Sequence, residues 1–179
     1  MKRRAALFVL AGTVALVVAA GVAYAVTVKC QGGMTTLCVG TDGPDTLYGT
    51  AMADAMNARQ GDDLLLGRRG ADHMLGDTSS GQQDTTDGND QLYGNRGKDW
   101  LLGYGGSDLL NGGHANDEIY AQDISTGNPG EDTVMGGGGN DSISANDGLF
   151  DTIDCGDGLD VVRYDTGLDE IENCEFQNP

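Results

Sequence analysis

The chain has 179 residues, with 10 Lys and Arg against 28 Asp and Glu, a formal charge of −18 and 30 glycines. So acidic a chain repels nucleic acid and anionic membrane surfaces, which excludes both as partners of its folded part. Two classes stay open: an acidic disordered segment, and a segment that folds by capturing cations.

In chain order, the first 25 residues stand apart. Lys2, Arg3 and Arg4 form a basic start, an apolar run follows, and Ala23-Tyr24-Ala25 is an A-x-A cleavage site. This is the pattern of a secretory signal peptide, which predicts a secreted, extracellular product. The run from Ala5 to Val28 carries no charge, and at more than the roughly 20 residues a bilayer demands it can also serve as an uncleaved anchor. Only that second reading brings the chain to a membrane. No small-residue lipobox precedes Cys30. Cleavage takes three cations and no acid, so the charge of −18 becomes −21 on 154 residues, with seven Lys and Arg left.

Residues 26–39 hold Cys30 and Cys38 and precede the first repeat. From residue 40 a period of nine takes over. Leu47, Met56, Leu65 and Met74 fall nine apart, then Leu92, eighteen on, is followed by Leu101, Leu110 and Ile119. Aspartates two residues upstream keep step at Asp45, Asp54, Asp63, Asp72, Asp90, Asp99, Asp108 and Asp117. The stretch GDTSSGQQD at 76–84 has the right length but lacks both markers; it is either a degenerate repeat or a nine-residue loop. AQDIST, 121–126, is out of phase. Asp132 and Asp141 resume the series, and after one inserted residue near Ala145 it closes with Asp151, Asp160 and Asp169. Self-similarity at a fixed period over most of the chain predicts a solenoid.

One nonad explains its own composition. Glycines at positions one and four permit φ values other residues avoid and leave carbonyls uncovered. The last three residues, as in Trp100-Leu101-Leu102, predict a three-residue strand with its middle side chain inward. Stacked about 4.8 Å apart as rungs of a parallel sheet, the coils align the aspartates into columns. Two carboxylates 5 Å apart repel by about 3 kcal/mol at an effective dielectric of about 20. Seven Lys and Arg cannot neutralise such columns, so the positive charge must come from solution. Carboxylates and backbone carbonyls make an all-oxygen site, which suits a hard cation, and calcium's flexible coordination fits better than magnesium's tight octahedron.

The pattern resembles the RTX (repeats-in-toxin) nonapeptide, G-G-x-G-x-D-x-U-x with U a large apolar residue. The similarity spans residues 40–172, leaving 173–179 as a tail. The resemblance implies an all-β parallel β-roll, a right-handed β-solenoid with two repeats per coil, holding several calcium ions (Ca2+) between successive turns. It assigns Asp45, Asp54, Asp63, Asp72, Asp90, Asp99, Asp108, Asp117, Asp132, Asp141 and Asp160 as the calcium aspartates. Met52 and Ala115 replace the fourth glycine of their nonads, Ala58 replaces a first glycine, and Gly81 stands where an aspartate belongs. The best-formed turns are expected around Asp99, Asp108 and Asp141. Rolls of this family usually accompany a catalytic or toxin domain; the repeats fill this chain, so no enzyme activity is expected.

Four cysteines in a secreted chain predict two disulfides. About six coils put the solenoid ends roughly 30 Å apart, whereas disulfide-linked Cα atoms lie within about 7 Å. The expected pairs are therefore Cys30–Cys38 and Cys155–Cys174, one stapling each end. His73 and His114 fall at outward or turn positions, and no G-x-S-x-G elbow is present. Trp100, Leu102, Leu64, Leu66 and Tyr120 point outward from the strands. They form either a sheet face covered by the chain itself or a contact patch, and the latter supports a second reading: a calcium-stiffened structural or adhesive cell-surface protein that self-associates or meets a surface partner.

Overall fold

The computed structural model describes residues 24–77, 87–122 and 129–179. The signal-like segment, 1–25, lies almost wholly outside them. The described residues form strands and turns without a helix. In chain order the strands are β1 (Thr27–Lys29), β2 (Leu37–Val39), β3 (Thr46–Tyr48), β4 (Ala55–Asn57), β5 (Leu64–Arg69), β6 (His73–Leu75), β7 (Gln91–Arg96) and β8 (Trp100–Leu102), then β9 (Leu109–His114), β10 (Glu118–Tyr120), β11 (Thr133–Gly138), β12 (Ser142–Ser144), β13 (Thr152–Asp157), β14 (Val161–Arg163), β15 (Glu170–Glu172) and β16 (Phe176–Asn178). Odd-numbered strands form one eight-stranded sheet and even-numbered strands the other, each strand bonded to the next but one in sequence. All pairings are parallel, so two nonads make one coil of a β-roll.

The inward side chain of each strand stacks in register. One column runs Leu47, Leu65, Leu92, Leu110, Val134, Ile153; the other runs Cys38, Met56, Met74, Leu101, Ile119, Ile143, Val162. Together they form a single core cluster two side chains wide. Burying one such side chain contributes about 1.5–3 kcal/mol, but a three-residue strand alone has nothing to bury it against. The coils therefore hold one another.

The register settles the status of residues 76–84. β5 pairs directly with β7, with Leu65 beside Leu92, and β6 with β8, with Met74 beside Leu101. No rung intervenes, so the nine extra residues are an insertion between β6 and β7, and later nonads exchange sheets relative to an unbroken count. Residues 78–86 themselves lie outside the described residues, as do 123–128 of the out-of-phase segment.

Two details depart from the sequence expectation. Strands β5, β7, β9, β11 and β13 are six residues long, not three, because they run on through the first positions of the next nonad and pair there too, as Arg68 with Asn95 and Arg69 with Arg96. The glycine roles also differ. Position four is left-handed as expected, for example Gly70 (φ 126°) and Gly97 (φ 133°), with Ala115 (φ 84°) in the same conformation. Position one is not: the other left-handed residue is position two, occupied by Arg68 (φ 77°), Asn95 (φ 70°) and Tyr104 (φ 75°).

Disulfides join Cys30 to Cys38 and Cys155 to Cys174, with Cα–Cα distances of 5.3 and 5.2 Å. The outward apolar residues do not share a face. Leu64 and Leu66 belong to β5 in one sheet, while Trp100, Leu102 and Tyr120 belong to the other. There His73, Trp100 and Tyr120 form a row, with ring centroids 5.4 and 5.9 Å apart.

Candidate metal centre

Position six places its aspartate just before each strand, and the roll gathers these residues into two buried columns. In the first, the backbone N–H of each aspartate donates to Oδ1 of the one a coil further on, through Asp45, Asp63, Asp90, Asp108, Asp132, Asp151 and Asp169, at 2.6–3.0 Å. The second column links Asp54, Asp72, Asp99, Asp117, Asp141 and Asp160 in the same way at 2.7–2.8 Å. All eleven aspartates expected from the sequence stand in these columns, together with Asp151 and Asp169. The aspartate carbonyls meanwhile accept strand N–H groups, as Asp72 does from Trp100 and Asp99 from Glu118. Each aspartate is thus pinned at both backbone and side chain.

The second carboxylate oxygen separates the ends of the roll from its middle. At the N-terminal end, Asp45 Oδ2 accepts from the Thr41 N–H and hydroxyl, and Asp54 Oδ2 from the Thr50 N–H and hydroxyl. At the C-terminal end, Asp169 Oδ2 accepts the Asp165 N–H at 2.6 Å. In the interior, Oδ2 of Asp63, Asp72, Asp90, Asp99, Asp117, Asp141, Asp151 and Asp160 is buried and accepts no hydrogen bond among the described residues. A buried carboxylate oxygen left so costs several kcal/mol if ionised, unless a charge meets it.

Electrostatics records the same shortage. Burial pushes Asp63, Asp72, Asp117 and Asp151 up to about 7, Asp90 to about 8 and Asp99 to about 6. The backbone N–H from the neighbouring coil pulls each back, and for Asp63, Asp72, Asp90, Asp117 and Asp151 nearby carboxylates push up again. Asp141, Asp160 and Asp169 are also raised, with burial the largest cause.

The position-one glycines explain where the open oxygen points. A Cβ on Gly67 would lie 2.5 Å from Asp72 Oδ2 and 2.9 Å from the Gly94 carbonyl oxygen; one on Gly112 would lie 2.5 Å from Asp117 Oδ2 and 2.8 Å from the Gly136 carbonyl oxygen. The missing side chain leaves a niche with a carboxylate oxygen on one side and a carbonyl of the next coil on the other. These are hard oxygen donors of the kind calcium takes. Among the described residues no group of three or more His, Cys, Asp or Glu side chains could hold a metal, so a cation here must draw carbonyls into its shell. The niches supply them.

The family model of the RTX calcium-binding nonapeptide repeat matches residues 39–77, 84–121 and 126–148, more than half of the chain. The chain belongs to the RTX calcium-binding repeat family. Comparison with curated proteins gives no match.

Within this RTX roll, sequence reasoning left several residues out. Asp151 continues the repeat series but is not among the calcium aspartates that the resemblance assigns, yet it is fully buried in the first column. Asp77, at position two after β6, is fully buried as well; its Oδ2 accepts the Gly88 N–H at 3.0 Å, and burial with the charges of Asp90 and Asp87 raises it to about 9. A second ladder runs at position five: Asp62 Oδ1 accepts from the Asn89 N–H, Asn89 Oδ1 from Ser107, and Asn116 Oδ1 from Asn140. The recurring Asn-Asp pairs at 89–90, 116–117 and 140–141 were the signal for it.

Proposed function

We propose that this RTX protein is secreted and folds outside the cell on binding several calcium ions between its stacked turns, without a catalytic role. The observation that carries this reading is the run of buried, unbonded Oδ2 atoms along both columns, met by protein donors only at Asp45 and Asp54 at the N-terminal end and at Asp169 at the C-terminal end. Asp72, Asp99, Asp117, Asp141 and Asp160 would supply carboxylates from one column, and Asp63, Asp90 and Asp151 from the other, with carbonyls such as those of Gly94 and Gly136 beside them. At about 1 mM extracellular calcium, a site with a dissociation constant near 0.1 mM stabilises the fold by about 1.4 kcal/mol. About eight such sites then contribute roughly 11 kcal/mol, the net stability of a whole domain. Inside the cell, where calcium is scarce, the chain stays unfolded and can be exported.

Far-UV circular dichroism of the purified protein tests this, first in EDTA and then through a calcium titration with magnesium as control. The expected result is a coil spectrum that turns cooperatively to β between roughly 0.1 and 1 mM calcium and not with magnesium. A β spectrum already complete in EDTA at neutral pH would sink the reading. A calcium-stiffened structural or adhesive role draws support from the row of His73, Trp100 and Tyr120 on the even-numbered sheet; calcium-dependent oligomers in sedimentation that Trp100→Ala abolishes would favour it.

A further inference from the structure

Outside the aspartate columns the two edges of the roll differ in charge through its first ten strands; further on, the odd-to-even edge turns acidic with Asp157 and Glu175. Turns that lead from the even-numbered to the odd-numbered sheet hold Asp42, Asp62, Asp77, Glu131 and Asp147. The opposite edge, leading from odd to even, holds Arg68, Arg69, Arg96 and Lys98 with His114, and Lys29 closes β1 beside it. In a chain of net charge −18 cations would be expected to spread among the acids. Arg59 and Lys98 do so, pairing with Asp42 at 2.9 Å and Glu118 at 3.3 Å. Lys29, Arg68, Arg69 and Arg96 are exposed and form no ion pair with the described residues. Instead the sheet register lays Arg69 beside Arg96, and Arg96 beside His114, on successive coils.

Arg68 is also held against its backbone preference. Its left-handed φ of 77° is shared along the register with Asn95, then with Gly113, Gly137 and Gly156; asparagine tolerates this conformation and glycine adopts it without strain. A long side chain kept where the later coils use asparagine and then glycine is a strained residue, and such strain concentrates at functional positions. Its guanidinium lies 5.6 Å from the Tyr48 ring centroid, which orients it. Together Lys29, Tyr48, Thr50, Arg68 and Arg69 line a groove of about 550 Å³ at the N-terminal end of this edge.

We propose that this groove binds a small tetrahedral oxyanion, a phosphate or sulfate group, between Lys29 and the Arg68–Arg69 pair. Planar guanidinium forks recognise two oxygens of such an anion at once. The acidity of the rest of the surface selects a small solute over a polyanion or an anionic membrane, both of which the whole chain repels.

The test is a sulfate titration of the full-length, calcium-loaded protein at low ionic strength, read by the amide shifts of Gly49, Thr50 and Ala51 and by the Arg68 side-chain N–H. Saturable shifts confined to the groove are expected, with a dissociation constant below about 1 mM, and inorganic phosphate should compete. R68Q/R69Q should weaken binding at least tenfold, whereas R163Q, which removes an exposed cation of the other sheet, should leave it unchanged. Arg68→Gly separates binding from folding: glycine suits this backbone, so the variant should melt no lower than the parent while losing affinity for the anion. A linear, unsaturated response up to about 10 mM, the behaviour of ionic screening alone, would overturn the proposal. So would an equal loss in R163Q, or binding to phosphatidylglycerol vesicles with none to free anion.

Discussion

The backbone N–H of Asp99 donates to Oδ1 of Asp117 one coil on, at 2.7 Å, while Asp117 Oδ2, equally buried, accepts nothing among the described residues. One oxygen of the ladder carboxylate ties coils together and the other is left for a cation. The column therefore needs the aspartate shape at every rung but the aspartate charge only where no protein donor answers it.

That division makes Asp117→Asn informative. Asparagine keeps an oxygen to accept the Asp99 N–H and removes the charge. Its calcium midpoint should rise by about tenfold, equivalent to about 1.4 kcal/mol. Asp54→Asn should shift the midpoint by less than about twofold (~0.4 kcal/mol), because Thr50 already bonds Asp54 Oδ2. Equal shifts in the two variants, followed by circular dichroism, would contradict the distinction between interior and terminal coils.

Gly112→Ala tests the niche itself. The added methyl would meet Asp117 Oδ2 and the Gly136 carbonyl, and forcing a group into so close a contact costs about 1–3 kcal/mol, here with loss of the adjoining calcium site. The converse change, Ala58→Gly, crowds no oxygen and should cost about 1.5 kcal/mol, from backbone entropy and one lost buried methyl, with the calcium midpoint unchanged. Calcium titrations followed by circular dichroism compare the two; a Gly112→Ala protein with the calcium midpoint of Ala58→Gly would show that the open oxygen does not need that space.

Much of this was legible in the sequence because each coil repeats one local rule. The nine-residue spacing of Leu101, Leu110 and Ile119 placed the core side chains, and Asp99, Asp108 and Asp117 placed the columns. What stayed hidden was what a single nonad does not contain. Whether 76–84 is a rung depends on Leu65 meeting Leu92, a pairing between coils. Local turn logic put the left-handed residue at position one, but there the constraint is the carboxylate of the same nonad and a carbonyl of the next coil, and the backbone reverses one residue later. The satisfied oxygens of Asp45 and Asp54 depend on Thr41 and Thr50, which appear in the sequence only as substitutions for a second glycine.

The disulfides hold the ends, where stacking is one-sided. Cys155 is fully buried at a position-one site, and its bond to Cys174 spans 19 residues. Loop-closure entropy gives such a bridge about 3 kcal/mol. Replacing both cysteines by alanine should lower stability by about that amount and raise amide exchange first in β13–β16. Protection lost uniformly along the roll would show that the coils open as one unit and not from the end.

The acidity of the columns sets the pH dependence of the metal-free protein. Burial raises Asp63, Asp72, Asp117 and Asp151 from 3.8 to about 7, and Asp90 to about 8. Between those values the folded chain binds more protons than the unfolded one, so its stability falls as pH rises. The contribution is fully present below the unfolded value of 3.8 and is lost as pH climbs through about 7 to 8. In EDTA, the β signal should therefore be stronger at pH 5 than at pH 8. Calcium should restore it at pH 8 by taking the place of the protons, and binding at pH 7 should release them. Calorimetry in buffers of different ionisation enthalpy measures that release directly. An EDTA form most ordered at pH 8, or a calcium enthalpy independent of buffer, would mean that the column carboxylates are ionised and held by some other charge.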